Sequence, residues 1–201
     1  MPKLKHIYIK GYPYVVTTAA LNREPIFKES KAGDILLEAI LFGRRQQWYY
    51  LLSFVIMPDH MHLIIIPRDK NISQCMKSIK GFSARRVNSM FDRRGSVWQN
   101  GFYDYILDDE EKVLSRIRYV DDNPVRKGIV TNPEDYGYSS VKYRAETDLA
   151  KFFWAGGTRM SRLSFSVGIC GQNCERFRSD RQGMLVLRRI LHINHWWYNW
   201  W

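Results

Sequence analysis

The stretch Phe54-Val55-Ile56-Met57-Pro58-Asp59-His60-Met61-His62-Leu63-Ile64-Ile65-Ile66 decides how the chain is read. Two apolar, β-branched runs flank Pro58-Asp59, a pair that favours a tight turn. They predict two antiparallel strands, one from Trp48 to Met57 and its neighbour from His60 to Ile66. The first run is apolar throughout and reads as a strand buried on both faces. Residues two apart on a strand share a face, so His60 and His62 project together and Met61 projects the other way. Side-by-side imidazoles are half of a metal site; taken alone they fit equally well as two hydrogen-bonded histidines on a sheet.

Outward from this hairpin, Ile7 to Ala20 is rich in Val, Thr and Tyr and predicts another strand, disturbed at its start by Gly11 and Pro13. Ser30 to Gln46 carries Ile35, Leu36, Ala39, Ile40 and Phe42 at helical spacing. Asn71 to Phe91 predicts a second helix with Ile72, Met76, Ile79, Ser83, Val87 and Met90 on one stripe. Lys77, Lys80 and Arg85 lie off that stripe, which fits a solvated face or a surface that tracks phosphates. Ser96 to Leu107 predicts a strand interrupted by Asn100-Gly101.

Asp108 then offers an N-cap with Glu111 three positions on, and a third helix runs to about Asp122, where Asn123-Pro124 stops it. Val113, Leu114, Ile117 and Val120 form its apolar stripe. Tyr119 falls off the stripe, on a face shared with Lys112, Arg116 and Asn123. Tyr119 and Asn123 are one helical turn apart and reach toward one point.

Composition narrows the class. The chain has 201 residues, enough for one domain with an appendage, and 45% hydrophobic content, enough for a core. A formal charge of +11 and a pI near 9.7 point to a polyanionic partner, nucleic acid before membrane. Three cysteines argue against a disulfide framework and fit a reducing compartment. No signal peptide and no run long enough to span a bilayer is read, so a cytoplasmic protein is expected.

The two constellations have a joint chemistry. Imidazoles and an amide oxygen are neutral ligands that leave open positions on a divalent cation, which could polarise a phosphate oxygen. A tyrosine hydroxyl is a weak nucleophile and needs such an activated electrophile. Attack on a phosphodiester leaves a phosphotyrosine and a 3′-hydroxyl, which can later reverse the reaction without ATP. Lys112 and Arg116 are placed to hold neighbouring phosphates.

The stretches Met57-Pro58-Asp59-His60-Met61-His62, Trp98-Gln99-Asn100-Gly101-Phe102-Tyr103-Asp104 and Arg118-Tyr119-Val120-Asp121-Asp122-Asn123-Pro124-Val125-Arg126-Lys127-Gly128 resemble the REP-associated tyrosine transposases of the single-tyrosine HUH superfamily. The likeness runs from about His6 to about Tyr143 and includes Asp135-Tyr136-Gly137-Tyr138-Ser139-Ser140. It implies a ferredoxin-like α+β fold, an antiparallel sheet with helices on one face, over residues 1–150. It implies nicking and rejoining of single-stranded DNA at repetitive palindromic hairpins in the bacterial nucleoid, with Mg or Mn. Residue by residue, His60 and His62 match the histidine pair, Tyr119 the nucleophile and Asn123 a polar metal-site residue.

Residues 151–201 match nothing in that family and read as an atypical extension, with five of the seven tryptophans. Met184, Leu185, Leu187, Ile190 and Leu191 fit a helix over Gln182 to His192, and Cys170, Cys174, His192 and His195 have a poor zinc-ligand spacing. Two other functions stay open. A nucleic-acid-binding module without cleavage would leave the candidate catalytic residues unexplained, and a small-molecule phosphoesterase would leave Tyr119 and the cationic surface unexplained.

Overall fold

The structure, a computed structural model, describes residues 8–152. The 151–201 extension, save its first two residues, lies outside the described residues, and so do its expected helix and zinc ligands and the start of the first predicted strand. Four strands, β1 (Tyr14–Ala19), β2 (Tyr49–Ile56), β3 (His60–Pro67) and β4 (Tyr103–Ile106), form one antiparallel sheet in the order β2-β3-β1-β4. Three long helices accompany them: α1 (Ser30–Arg45), α2 (Ile72–Met90) and α3 (Glu110–Asp121). Two single-turn helices, α4 (Asn123–Arg126) and α5 (Leu149–Phe152), follow.

The strands are shorter than the sequence predicts, for local reasons. Gly11 at φ +85° and Pro13 keep the chain out of the ladder until Tyr14. Gly101 at φ +75° breaks the last predicted strand into the single bridge Ala20–Trp98 and β4. The expected cap of α3 shifts by one: Asp109, not Asp108, accepts the Lys112 amide at 2.7 Å. On α2 the cap is a full capping box between Asn71 and Gln74.

Alternation along the strands explains the layers. Tyr14, Val16, Leu51, Phe54, Met61, Leu63 and Ile65 join α1 and α2 in one core. Val15, Leu52, Val55, Ile64 and Ile66 face the other way and pack with Val113, Ile117 and Val120 of α3. The α+β class and antiparallel sheet stand as expected. The expectation of helices on one face holds for α1 and α2 alone, because strands apolar on both sides need a cover on the second face.

One carboxylate sets where α3 lies on that face. Asp121 accepts from Ser53 of β2 at 3.1 Å, from Ser140 at 2.8 Å and from Arg144 at 2.7 Å. Ser53 and Ser140, both fully buried, also bond each other at 2.9 Å. A bulge at Leu52 places two successive side chains on the α3 side, since Leu51 pairs with Ile65 while Ser53 pairs with Ile64. The segment 138–148 then covers the β2 edge: Ile56 donates to the Tyr138 carbonyl, Ser140 to Phe54 and Asp148 to Leu51. Phe152 of α5 rests edge-on against Tyr50 of β2 at 5.1 Å.

Removing Asp121 leaves two buried hydroxyls and a guanidinium without their shared acceptor. Asp121→Ala should lower unfolding stability by about 2–3 kcal/mol, read as a shift in the urea midpoint. A loss below about half a kcal/mol would mean that apolar packing alone holds α3.

Candidate active site

His60 and His62 open β3, and the register places His60 opposite Ala19 and His62 between Thr17 and Val55. Their rings meet edge to face, 4.9 Å between centroids at 84°. Each ring is anchored through Nδ1: His60 to Asp59 Oδ1 at 2.5 Å, His62 to Thr17 Oγ1 at 2.8 Å. That leaves Nε2 of both rings available, the arrangement in which an outer partner orients a ligating imidazole. His60 is 6% exposed and His62 is half-buried among Thr17, Val55 and Tyr119.

Both imidazoles are held neutral. Burial lowers the His62 pKa to about 3, helped by the nearby His60, Arg116 and Arg23. Burial also lowers that of His60, where the bond to Asp59 opposes it and Arg23 and Lys127 reinforce it. A neutral imidazole has the lone pair that a cation needs.

The burial of α3 brings Tyr119 to the same place. Val113, Ile117 and Val120 face the sheet, and Tyr119 sits half-buried at the rim with its ring 6.3 Å from that of His62 at 74°. Arg116 and Arg126 stack on the Tyr119 ring with Cζ at 4.9 and 5.0 Å. The chain does not leave its helical course before the proline: Asp122 stays in the right-handed region and α4 begins at Asn123. Asn123, 3% exposed, donates Nδ2 to the Tyr119 carbonyl at 3.4 Å, which leaves its amide oxygen as the donor atom for a cation. Among the described residues no three His, Cys, Asp or Glu gather as a metal site. Imidazole nitrogens and an amide oxygen are neutral donor types that a divalent cation accepts.

The predicted cations divide. Arg116 is at the site, over both Tyr119 and Tyr105. Lys112 is engaged with Asp108 at 2.6 Å and Asp109 at 3.1 Å, at the start of α3. Lys77 and Arg85 are exposed on α2, across the sheet from the histidines. Lys80 is half-buried and already engaged: its ammonium donates to the Gln99 carbonyl at 2.9 Å and to that of Gly101, and burial lowers its pKa to about 8.

Sequence reading missed Asp59, Thr17, Arg23, Arg126 and Lys127. Arg23 follows Asn22 in a turn where both have positive φ, +54° and +56°, a costly conformation for residues with a Cβ. The turn brings Arg23 to Asp59 at 3.1 Å, beside His60. Arg126 and Lys127 lie seven and eight residues after Tyr119, about two helical turns on, a spacing that is the signal in the sequence for their proximity to the site. Together these cations surround a pair of uncharged rings, a field suited to a phosphate chain.

With this geometry, the family model described as Transposase IS200 like matches residues 9–123. A REP-associated tyrosine transposase of Escherichia coli (strain K12) is 24% identical over 170 residues, 84% of this chain and 97% of that protein. A Haemophilus influenzae (strain ATCC 51907 / DSM 11121 / KW20 / Rd) relative named for the same kind of transposase is 25% identical over 116 residues, 52% of this chain and 66% of its own length. The fold resembles a solved REP-associated tyrosine transposase bound to a REP hairpin, with TM-score 0.59 and 23% identity over 72% of this chain and 86% of that one.

The histidine environment has a consequence for stability. The unfolded chain takes up a proton on His62 near pH 6.5, and the folded chain does so only near pH 3. The unfolded state therefore binds more protons in that window, and stability falls as pH drops from about 6.5 toward 3. Urea unfolding at pH 7.5 and pH 5 should show this loss, reduced in His62→Gln. Equal losses in both proteins would assign the pH dependence to other groups.

Proposed function

This chain belongs to the family of IS200-like transposases, and on that premise we propose that it nicks and rejoins single-stranded DNA through a 5′-phosphotyrosine at Tyr119. It is a transposase, an enzyme of DNA strand cutting and transfer. The observation that carries the finer reading is the meeting of Tyr119, ringed by Arg116 and Arg126, with the His60–His62 pair.

The phenolic oxygen of Tyr119 attacks the scissile phosphorus in line with the 3′-oxygen. The phenol gives up its proton as the Tyr119 O–P bond forms, the P–O3′ bond breaks, and the departing oxygen takes up a proton to become a 3′-hydroxyl, so the proton count is unchanged. The guanidinium groups of Arg116 and Arg126 over the ring offer donors to the phosphate. Arg23 and Lys127 hold further charge beside His60. The reverse step, attack of a 3′-hydroxyl on the phosphotyrosine, restores the diester and the free tyrosine. One diester is exchanged for another of similar energy, so no nucleotide is consumed.

The family is metal-dependent; His60, His62 and Asn123 are the residues that would hold a divalent cation, magnesium or manganese, which when bound supplies Lewis-acid polarisation of a phosphate oxygen. His60→Ala or His62→Ala should abolish metal-dependent cleavage and leave DNA binding largely intact, since affinity comes mostly from phosphate contacts elsewhere. Full cleavage in EDTA would refute the metal role.

The substrate proposed is a single strand with an adjoining hairpin of the repetitive palindromic kind, met in the bacterial cytoplasm at the nucleoid; the E. coli relative carries REP in its name. Among the described residues no helix is long and apolar enough to cross a membrane. Lys77 and Arg85 on α2 are placed for phosphates away from the scissile one, and Arg116 for those beside it. Replacing Lys77 and Arg85 by Gln should flatten the salt slope of hairpin binding by about one unit per lost phosphate contact. An unchanged slope would leave that helix face as solvated surface.

Tyr119→Phe removes the proposed nucleophile and keeps the ring under its two arginines. Cleavage should vanish rather than weaken, while stability changes by less than about half a kcal/mol. Residual nicking at wild-type rate by the Phe variant would overturn the assignment.

A further inference from the structure

The motif Trp98-Gln99-Asn100-Gly101 takes no part in the chemistry above, yet its backbone is held from several sides. Trp98 is 4% exposed, packs on Phe27 at 4.8 Å and donates its indole N–H to Ser83 at 3.1 Å. Gln99 donates its amide to the Ala19 carbonyl at 3.0 Å. Lys80 reaches up from α2 and caps the Gln99 and Gly101 carbonyls. Gly101, at φ +75°, makes the turn that lets one ammonium reach both. Above this clamp the residues Gln99 and Asn100 stand exposed.

The position of the loop follows from register. Trp98 bridges Ala20, and both sit in the core on the α1–α2 side. Alternation turns the next position, Gln99, to the opposite side, in the row formed by Ala19 and its partner His60. The loop thus flanks the histidine end of the sheet, and through Lys80 it adjoins α2 with its exposed Lys77 and Arg85.

We propose that the Gln99–Asn100 loop is a base-reading element, its two side-chain amides pairing with the edge of one nucleobase of the single strand that passes His60. The inference rests on the nicking assignment and deepens it. Primary amides carry a donor and an acceptor in one plane and match base edges, whereas phosphates at this site have guanidinium and ammonium groups to meet them. A reader of bases must also be rigid, and here the rigidity comes from beneath, through Trp98 and Lys80. Lys80 is accordingly a positioning residue for the loop, not a phosphate contact.

The test measures cleavage rates of the full chain on hairpin oligonucleotides in which each position within a few nucleotides of the nick is varied through all four bases. Wild type should prefer one base at one position by about tenfold. Gln99→Ala and Asn100→Ala should each reduce that preference to about twofold or less, with the salt slope of binding unchanged. Lys80→Met should reduce it as well, through loss of the clamp. Melting curves confirm that the Gln99 and Asn100 variants fold, as exposed positions should. A wild type that cleaves without base preference, or variants that keep the wild-type preference, would overturn the inference and leave the nicking assignment standing. A wild type that forms no covalent adduct with any hairpin would overturn both.

Discussion

A sheet that is apolar on both faces cannot stand uncovered, and this constraint governs the rest of the molecule. α1 and α2 cover one side, so the second face must be closed by α3, and the histidines lie on that second face. Burial alone would let α3 slide, because Val113, Ile117 and Val120 have several apolar partners. The Asp121 carboxylate removes that freedom by binding β2 through Ser53 and the returning chain through Ser140 and Arg144. Two residues before Asp121, Tyr119 is thereby fixed against His62.

The same arrangement explains why the site is cationic and yet contains uncharged histidines. Packing takes the imidazoles out of water, and the surrounding guanidinium and ammonium groups add to the penalty on an imidazolium. Positive charge is thus placed on Arg23, Arg116, Arg126 and Lys127, while the two rings keep their lone pairs. The Asp59 carboxylate serves both groups, accepting from His60 and pairing with Arg23. The left-handed turn at Asn22 and Arg23 is a local cost accepted where a charge has to reach the site.

Much of this was legible in the chain. Helix extents, the hairpin at Pro58-Asp59, the shared face of His60 and His62, and the rim position of Tyr119 all follow from periodicity, which depends on near neighbours. What escaped depends on distant partners. Ser53 and Asp121 lie 68 residues apart, and nothing in either sequence neighbourhood announces the bond. Lys80 shows an off-stripe position compatible with solvent, and its tie to Gln99 appears only when the loop folds back. Arg23 sits in a connection with no periodic signal at all. The Asp109 cap was missed by one residue because two adjacent aspartates both satisfy the cap pattern. Asn123 keeps its expected place one turn after Tyr119 because Asp122 stays helical ahead of Pro124.

The central claim is that the tyrosine against the histidine pair carries the DNA strand. The most direct measurement is to incubate the full chain with hairpin oligonucleotides labelled at either end, in magnesium or manganese, digest the covalent adduct and map the modified peptide by mass spectrometry. The account predicts one modified residue, Tyr119, joined to the 5′-phosphate of the cleaved strand, with a free 3′-hydroxyl on the other fragment. An adduct on Tyr103, Tyr105 or Tyr136, or one linked through a 3′-phosphate, would contradict it.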